Sequence, residues 1–272
     1  MQKLSDEFYQ TAIKSVFHDA VEIRAPVVPG IVAKVFIFQT KNGPRVCRFN
    51  EKTLVERNQK LTKILYDYGT PVKLIKAHEY KGQYFESYEF DPHQTLKEAL
   101  PDMSETEIID TYKSVLRIQA NLVRFPIEKF SQIDNAHFMD VYKITMPQYI
   151  NNGLLRYLYR TIYKHFSVGK NTCVAHNDLT PANMLVSDDH HNIVRLIDID
   201  SISICNENMA IFSMLRFYPL SNFKEIIEYY QDISGHKLNS HEIMYMSKLF
   251  RETAYFRNRL NNFTFRNITN QH

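Results

Sequence analysis

The first ninety residues alternate between apolar and polar positions with the two-residue period that is typical of β-strands. Five segments show this pattern, at residues 21–24, 32–39, 45–49, 72–78 and 83–90. Asn42-Gly43 lies between the second and third segments, and an Asn-Gly pair favours a hairpin because it tolerates the positive φ of a tight turn. We therefore predict an antiparallel five-stranded sheet in this part of the chain.

Two stretches of the same region follow the period of an amphipathic helix instead. One lies at residues 5–17, before the first strand, and the other follows the third strand. Thr53 and Glu56 have the spacing of a capping box, which predicts that the second helix opens there. Its predicted apolar face consists of Leu54, Leu61, Ile64, Leu65 and Tyr68.

From residue 91 onward the pattern is mainly helical. Ser104 and Glu107 form a second capping-box pattern at the start of a long amphipathic stretch. The exception is a pair of short apolar segments, at residues 184–186 and 193–197, that enclose a polar turn. The sequence thus predicts an α+β fold with two lobes. Residues 1–90 form an N-terminal lobe of five antiparallel strands and one intervening helix, and residues 91–272 form a mainly helical C-terminal lobe with a β-hairpin.

Composition narrows the range of functions only slightly. The chain has 272 residues and a formal net charge of +3, which gives no argument for a nucleic-acid partner. We find no run of about 18 apolar residues and no apolar segment at the N-terminus, so we predict no membrane insertion. The three cysteines lack a CxxC spacing and are expected to be reduced thiols, as in a cytoplasmic protein. The oligomeric state stays open.

The candidate chemistry lies around the predicted hairpin. His176, Asp178 and Asn183 have the spacing His-x-Asp-x4-Asn just before it, and its second strand leads to Asp198. This layout presents a carboxylate, an amide and a second carboxylate, which suits phosphoryl transfer. Asp178 would accept the proton of the attacking hydroxyl, while Asn183 and Asp198 would provide oxygen ligands for Mg²⁺.

The order of a β-rich lobe followed by a helical lobe with this hairpin resembles the small-molecule kinases of the aminoglycoside phosphotransferase and choline/ethanolamine kinase group, which have a protein-kinase-like fold. The resemblance covers nearly the whole chain. It rests on His176-Asn-Asp178 with Asn183, and on the segment Leu-Ile-Asp198-Ile-Asp200. It implies ATP and Mg²⁺ as cofactors and a small-molecule alcohol as the substrate that is phosphorylated.

The resemblance also implies roles for individual residues. Arg48 would reach the phosphates from the third strand, paired with Glu56 or with its rival Gln59 on the following helix. His176 would brace the catalytic loop. The backbone of the hinge would receive the adenine, and the hinge comprises Glu86 with Ser87, Tyr88, Glu89 and Phe90. The role of Asp200 and the choice between ATP and GTP stay open.

The sequence departs from protein kinases in several places. It has no G-x-G-x-x-G loop, so residues 25–30 would cover the phosphates, and neither Phe-Gly nor Ala-Pro-Glu follows Asp198. These departures argue against a protein kinase. Two further alternatives are a pseudokinase that only binds nucleotide and a metal-dependent hydrolase. The hydrolase would use His176 and Asp178 together with Asp188, Asp189, His190 and His191.

The sequence indicates the substrate less clearly than it indicates the fold or the chemistry. A choline- or ethanolamine-like amino alcohol is favoured, since the 17 Tyr and 18 Phe residues offer material for an aromatic cage around a cation. From Lys248 to the C-terminus there are five Lys or Arg residues and one Glu, which disfavours a strongly polycationic substrate. Sugars and aminoglycosides nevertheless stay open as substrates.

Overall fold

A computed structural model describes residues 4–26, 33–133, 153, 157, 160–161, 172–215, 223–241, 243–245 and 247–248. The chain divides into two compact units. The first consists of Met1–Gln94 with Arg195–Asp200, and the second consists of Thr95–Val194 with Ser201–His272. The segment expected to cover the phosphates lies mostly outside the described residues, as does most of the basic C-terminal stretch.

The first unit is built on a single β-sheet. Its elements are α1 (Asp6–Val16), β1 (Val21–Arg24), β2 (Lys34–Thr40), β3 (Gly43–Asn50), α2 (Lys52–Asp67), β4 (Lys76–Tyr80) and β5 (Gln83–Glu89). All neighbouring strands are antiparallel, in the order β1-β2-β3-β5-β4. The predicted five-stranded sheet with one intervening helix is confirmed. The strand predicted from residue 72 starts only at Lys76, because Val72 forms a bridge with Leu196 instead.

One face of this sheet packs against α1. Side chains alternate between the two faces of a strand, and directly paired residues of antiparallel strands share a face. The aromatic core on this face combines Phe36, Phe38, Phe49 and Phe85 with Ala12 and Ile13 of the helix. The Oγ of Ser5 accepts a hydrogen bond of 3.2 Å from the N–H of Phe8 and so caps the first turn of α1.

The opposite face of the sheet carries polar groups at its centre. In the register of β2, β3 and β5, Val35, Arg48 and Glu86 form one row across this face. Ile37, Val46 and Tyr88 form the next row. The side chains of Val35 and Ile37 are only partly buried. This face therefore presents aliphatic side chains next to a cation and a carboxylate.

Helix α2 begins earlier than the sequence predicted. The N–H groups of Leu54 and Val55 both donate to the carbonyl of Glu51, so the chain is already helical at Thr53, and a capping box there was the wrong prediction. The buried face is also shifted relative to the predicted one. It consists of Val55, Asn58, Leu61, Thr62 and Leu65, whereas Tyr68 is exposed.

The segment Arg195–Asp200 is fastened to the first unit by main-chain contacts. The N–H of Leu196 donates to the carbonyl of Pro71 at 2.8 Å, and Nη1 of Arg195 donates to the carbonyl of Val72 at 3.3 Å. Nε of Arg195 also lies 3.5 Å from the carboxylate of Asp91. These contacts hold Asp198 and Asp200 in the first unit although they follow the second unit's hairpin along the chain.

The second unit is mainly helical. Its elements are α3 (Leu96–Ala99), α4 (Glu105–Val123), α5 (Ile127–Ser131), β6 (Thr172–His176), β7 (Met184–Val186), β8 (Ile193–Leu196, whose last two residues belong to the first unit), β9 (Ile202–Asn206), α6 (Glu207–Leu215) and α7 (Phe223–Ser234). Strand β6 pairs with β9, and β7 pairs with β8. The predicted capping box of Ser104 and Glu107 is confirmed at the start of α4. None of the helices in the described ranges is long and apolar enough to cross a membrane.

His78 gives the first unit a pH dependence. Its ring stacks on Phe85, and its Nε2 lies 2.8 Å from Oγ of Ser87. Burial, reinforced by the charges of Arg45 and Lys76, lowers the pKa of His78 to about 4. Between this pKa and the ordinary value near 6.5, the unfolded chain binds a proton that the folded chain excludes. Stability is therefore lost as the pH falls through this window.

We predict that His78→Gln reduces the loss of thermal stability between pH 6.5 and 4, because the substituted side chain has no proton to bind. The measurement is the melting temperature of the wild type and the variant across this range. His18→Gln, which replaces an exposed histidine, is the matched control and should follow the wild-type curve. Parallel curves for wild type and His78→Gln would contradict the prediction.

Candidate functional site

The loop after β6 is held by the side chain of His176. This ring is fully buried, and its Nδ1 accepts a hydrogen bond of 3.2 Å from the N–H of Asp178. Oγ of Ser201 lies 3.1 Å from the same nitrogen. Because Nδ1 accepts from a main-chain N–H, the neutral ring carries its proton on Nε2. His176 thus contacts the main chain at the start of the loop.

The main chain of His176 is fixed from the other side by Gln119 of α4. Oε1 of Gln119 accepts from the N–H of His176 at 3.1 Å, and Nε2 donates to the carbonyl of the same residue at 3.1 Å. Nε2 also donates to the carbonyl of Ala210 at 2.6 Å. Gln119 was not singled out in the sequence analysis. Its signal was a polar residue on a buried face, where unpaired polar groups are costly.

Asn183 fixes the carboxylate of Asp178. Its Nδ2 donates to the carbonyl of Asp178 at 2.9 Å and to Oδ2 of Asp178 at 3.1 Å. Since both partners only accept hydrogen bonds, the amide nitrogen of Asn183 must face them, and its Oδ1 is directed elsewhere. The structure therefore brings His176, Asp178 and Asn183 together in one loop of the second unit, with the side chain of Asp178 partly exposed.

Arg48 gathers three carboxylates in the first unit. Nη1 lies 3.3 Å from Oε1 of Glu86, and Nη2 lies 3.4 Å from Oδ1 of Asp198. Nη2 also donates to Oδ2 of Asp200. The side chain of Glu86 is only 1% exposed, that of Asp200 is 23% exposed and that of Asp198 is 46% exposed. We call Arg48, Glu86, Asp198 and Asp200, together with Asn58, the Arg48 cluster.

Asn58 completes this cluster from helix α2. Its Nδ2 donates to Oε2 of Glu86 at 3.0 Å and to Oδ1 of Asp200 at 2.7 Å. The residue is fully buried, so both of its N–H bonds are directed at carboxylates of the cluster. Neither residue was expected in this cluster. Glu86 contacts Arg48 through the register of the sheet, and Asn58 bonds to Glu86 and Asp200 through the phase of helix α2.

The charges of the cluster shift its pKa values. Burial alone would disfavour the charged guanidinium, but Asp200, Asp198 and Glu86 outweigh it and raise the pKa of Arg48. Burial raises the pKa of Glu86 to about 7, although the neighbouring charge of Arg48 acts in the opposite direction. Arg48 is therefore a permanent cation, whereas Glu86 titrates near neutral pH.

Asp198 has an unusual main-chain conformation. Its φ is +57°, in the left-handed region that residues other than glycine rarely adopt. Leu196 of β8 lies just before it, and a single 3₁₀ turn, Ile199–Ser201, follows it. Strained backbone of this kind persists where surrounding contacts over-determine it, and it is frequent at functional sites. The main chain at this turn aims a half-exposed carboxylate beside Arg48.

Glu56 lies apart from the Arg48 cluster. It is exposed and pairs with Lys52, one turn earlier on α2, at 3.8 Å. Gln59 is exposed as well. The expectation that Arg48 pairs with Glu56 or Gln59 is therefore wrong, and its partners are Glu86, Asp198 and Asp200. The reason is the helix phase, which turns Asn58 rather than its neighbours toward the sheet.

The residues of the expected hinge have different roles. Tyr88 borders a small cavity beside Arg48, whereas Ser87 points to the opposite face, where it contacts His78. Glu89 is exposed. The N–H of Phe90 donates to the carbonyl of Pro44 at 3.0 Å, so this group extends the sheet and is not available to a nucleotide base. Within the described residues, β4 ends opposite Ser87, and β5 continues beyond it paired only with β3.

The polar turn between β7 and β8 has the contacts of a solvated turn. Asp189 accepts from the hydroxyl of Ser187 and from the N–H of His191. The rings of His190 and His191 lie near Glu107 and Asp110 of α4, at 3.8 and 3.2 Å. The described part of the chain contains no group of three His, Cys, Asp or Glu residues that could hold a metal ion. This arrangement gives no support to a metal-dependent hydrolase.

Solved structures with this fold include several phosphotransferases. A putative aminoglycoside phosphotransferase from Ralstonia eutropha is similar with a TM-score of 0.64 at 14% identity, over 89% of this chain and 85% of that chain. APH(2″)-IIIa in complex with GDP and kanamycin gives a TM-score of 0.65 at 15% identity, over 95% of this chain and 93% of that chain. The aminoglycoside phosphotransferase APH(3″)-Id from Streptomyces rimosus, in complex with ADP and streptomycin, gives 0.64 at 11% identity, over 92% and 98%.

These likenesses establish the architecture. No protein-family model matches the sequence, and a comparison with curated proteins finds no match. At identities below one fifth, a structural likeness shows the fold and leaves the activity to be argued from the site. The chain therefore has the α+β, protein-kinase-like fold of the aminoglycoside phosphotransferases, as its sequence predicted.

The raised pKa of Glu86 generates a prediction about stability. Between the ordinary value of 4.5 and about 7, the folded chain binds a proton that the unfolded chain has lost, so stability falls as the pH rises through this window. Glu86→Gln removes this proton binding. Its melting temperature relative to the wild type should therefore increase by a few degrees from pH 4.5 to pH 7, since roughly 1 kcal/mol corresponds to about 2–4 °C in larger domains.

The matched control is Glu79→Gln, which neutralises an exposed carboxylate on the neighbouring strand β4. Its melting temperature relative to the wild type should be constant over the same pH range. If the melting temperature of Glu86→Gln relative to the wild type is also constant over this pH range, the prediction is contradicted, because the pKa of Glu86 is then the same in the folded and unfolded chain.

Proposed function

We propose that the protein is a small-molecule kinase that transfers the γ-phosphoryl group of ATP, with Mg²⁺, to a hydroxyl of its substrate. The observation that carries the proposal is the carboxylate of Asp178. It is partly exposed and held at Oδ2 by Asn183, in a loop that His176 and Gln119 fix from two sides. A carboxylate fixed in this way suits the orientation of a hydroxyl for in-line attack.

In this proposal Asp178 is the general base. The substrate hydroxyl donates its hydrogen bond to the carboxylate of Asp178 and passes its proton there as the oxygen bonds to phosphorus, while ADP leaves. His176 does not transfer protons, because its Nδ1 is occupied by the main-chain N–H of Asp178. It acts by holding the loop in place.

The donor chemistry of two residues fits Mg²⁺. Asp198 offers a half-exposed carboxylate. Asn183 offers its amide oxygen, since the amide nitrogen makes the hydrogen bonds to Asp178. Hard oxygen ligands of this kind are those that Mg²⁺ prefers. When bound, the ion neutralises charge on the phosphates. We propose Asn183 and Asp198 as its ligands and Arg48 as the cation on the phosphate side.

The nucleotide's base would lie against the aliphatic face of the sheet. Val35 and Ile37 are partly exposed there, in the same rows as Arg48 and Val46. The end of β5 beyond Ser87, which is paired on one side only within the described residues, offers main-chain groups to a base. We propose this part of the hinge, at Tyr88 and Glu89, for the adenine contact.

The acceptor is proposed as a class. Choline- or ethanolamine-like amino alcohols are the first to test, followed by sugars and aminoglycosides; structural neighbours have been solved with kanamycin and with streptomycin. Phe212 and Tyr230 are two of the aromatic residues of the second unit, and both are fully buried and belong to its core. A screen of ATP and GTP consumption with each acceptor class selects the substrate and distinguishes a kinase from a pseudokinase, which would bind nucleotide without turnover.

For Asp178→Asn we expect turnover to fall by at least about 10²-fold, the usual effect of losing a general base, with nucleotide affinity nearly unchanged. The side chain keeps its size, and its hydrogen bond to Asn183 involves an oxygen that both residue types possess. Rate and nucleotide affinity are measured with the acceptor that the screen identifies. Asp102→Asn, an exposed carboxylate of the same unit, is the matched control. Turnover of Asp178→Asn at the wild-type rate would remove Asp178 from the mechanism.

For Asp198→Asn we expect the Mg²⁺ concentration that half-saturates nucleotide binding to rise at least 10- to 100-fold, roughly the range seen when groups supporting a metal site are lost. Asparagine tolerates the left-handed backbone found at this position, so the variant should fold. The measurement is calorimetric titration of ATP at several Mg²⁺ concentrations, with Asp67→Asn as an exposed control on α2. An unchanged Mg²⁺ requirement would show that Asp198 has only a structural role.

A further inference from the structure

The Arg48 cluster contains two residues whose position the phosphotransfer chemistry does not by itself explain. The side chain of Glu86 is 1% exposed, although the residue lines the small cavity beside Arg48, and Asn58 is fully buried. Burying a carboxylate and an amide is costly unless each is paired. Both are paired. Glu86 bonds to Arg48 and Asn58, and Asn58 bonds to Glu86, to Asp200 and to Arg57 of its own helix.

We propose that Glu86 and Asn58 are positioning residues that hold Arg48 and Asp200 in the arrangement that nucleotide phosphates require. The acid that fixes the sheet's cation thus comes from β5, directly opposite Arg48 in the register. The helix contributes an uncharged amide to the same cluster. This inference rests on the proposed function, because it assigns these residues a role at the nucleotide of that function.

The carboxylates contact different nitrogens of the Arg48 guanidinium. Nη1 of Arg48 is directed to Glu86 at 3.3 Å, while Nη2 is shared between Asp200 and Asp198. Removing the charge of Glu86 leaves both remaining carboxylates on the Nη2 side. The guanidinium is then drawn toward Asp198, the half-exposed carboxylate that we propose as a metal ligand. A stronger contact of Arg48 with Asp198 competes with Mg²⁺ and with the phosphates.

Asn58 affects the same arrangement of charges, because its uncharged side chain connects two of the carboxylates. Its amide donates to Glu86 at 3.0 Å and to Asp200 at 2.7 Å, so it holds two carboxylates that would otherwise repel each other. An aspartate at this position would add a further negative charge next to both. An amide is the side chain of this size that donates two hydrogen bonds and carries no charge.

The test compares binding of ATP with Mg²⁺ and binding of adenosine, without acceptor, by calorimetry at pH 8, where Glu86 is mostly ionised because its pKa is about 7. For Glu86→Gln we expect the Kd of ATP with Mg²⁺ to rise by about 10-fold, the loss of roughly one charge-assisted hydrogen bond. Adenosine, which lacks phosphates, should bind wild type and variant alike. Glu79→Gln, an exposed carboxylate on β4, should leave both affinities unchanged.

Asn58→Ser is the second variant, since it keeps all charges of the cluster and shortens the bridging side chain. We expect the same direction with a smaller rise in the Kd of ATP with Mg²⁺. If Glu86→Gln does not fold, the result for Asn58→Ser tests the inference on its own. A Kd within about twofold of the wild-type value in the folded variants overturns the inference. A parallel loss of adenosine binding also overturns it, because the two residues would then only support the fold.

The proposed function can fail separately. If the wild type binds ATP with Mg²⁺ and the variants do so equally well, the inference alone fails and the kinase proposal stands. If the wild type binds neither ATP nor GTP with Mg²⁺, both are overturned.

Discussion

The first unit depends on the balance of charge around Arg48. One guanidinium contacts Glu86, Asp198 and Asp200, so with all three carboxylates ionised the group carries a net charge of −2 (+1 − 3). The contacts join β3 to β5 and to the segment Arg195–Asp200. Without the cation, a buried acid and two partly exposed acids would lie close together, and like charges repel more strongly where they are partly desolvated.

The second unit fixes the loop after β6 by a different physical means. There the anchors are neutral hydrogen bonds, from Gln119 to the main chain of His176 and from Asn177 to Ser203 at 2.8 Å. Such contacts are directional and do not depend on salt or pH near neutrality. They leave the carboxylate of Asp178 as the charged group at the loop's partly exposed edge.

How much the sequence could predict depends on how local the signal is. The sheet was predictable because alternation and turn residues are local, and His176, Asp178 and Asn183 were predictable as neighbours because eight residues span them. The partners of Arg48 were not, because they depend on register and helix phase. Glu86 lies opposite Arg48 only because β3 pairs with β5, 38 positions further along the chain. The predicted apolar face of α2 started at Leu54 instead of Val55, which placed Asn58 outside the buried face. Gln119 and Asn58 share one overlooked signal, a polar residue in a buried stripe.

The difference in burial among the three acids assigns them different roles. Glu86 is enclosed, and burial raises its pKa to about 7, so it is partly neutralised at neutral pH. Asp198 is the most exposed of the three and is held at its turn by the main chain, with φ at +57°. A divalent cation would relieve the excess negative charge at the acid that solvent can reach. The excess of negative charge around Arg48 is thus the physical reason for proposing Asp198 as the metal ligand.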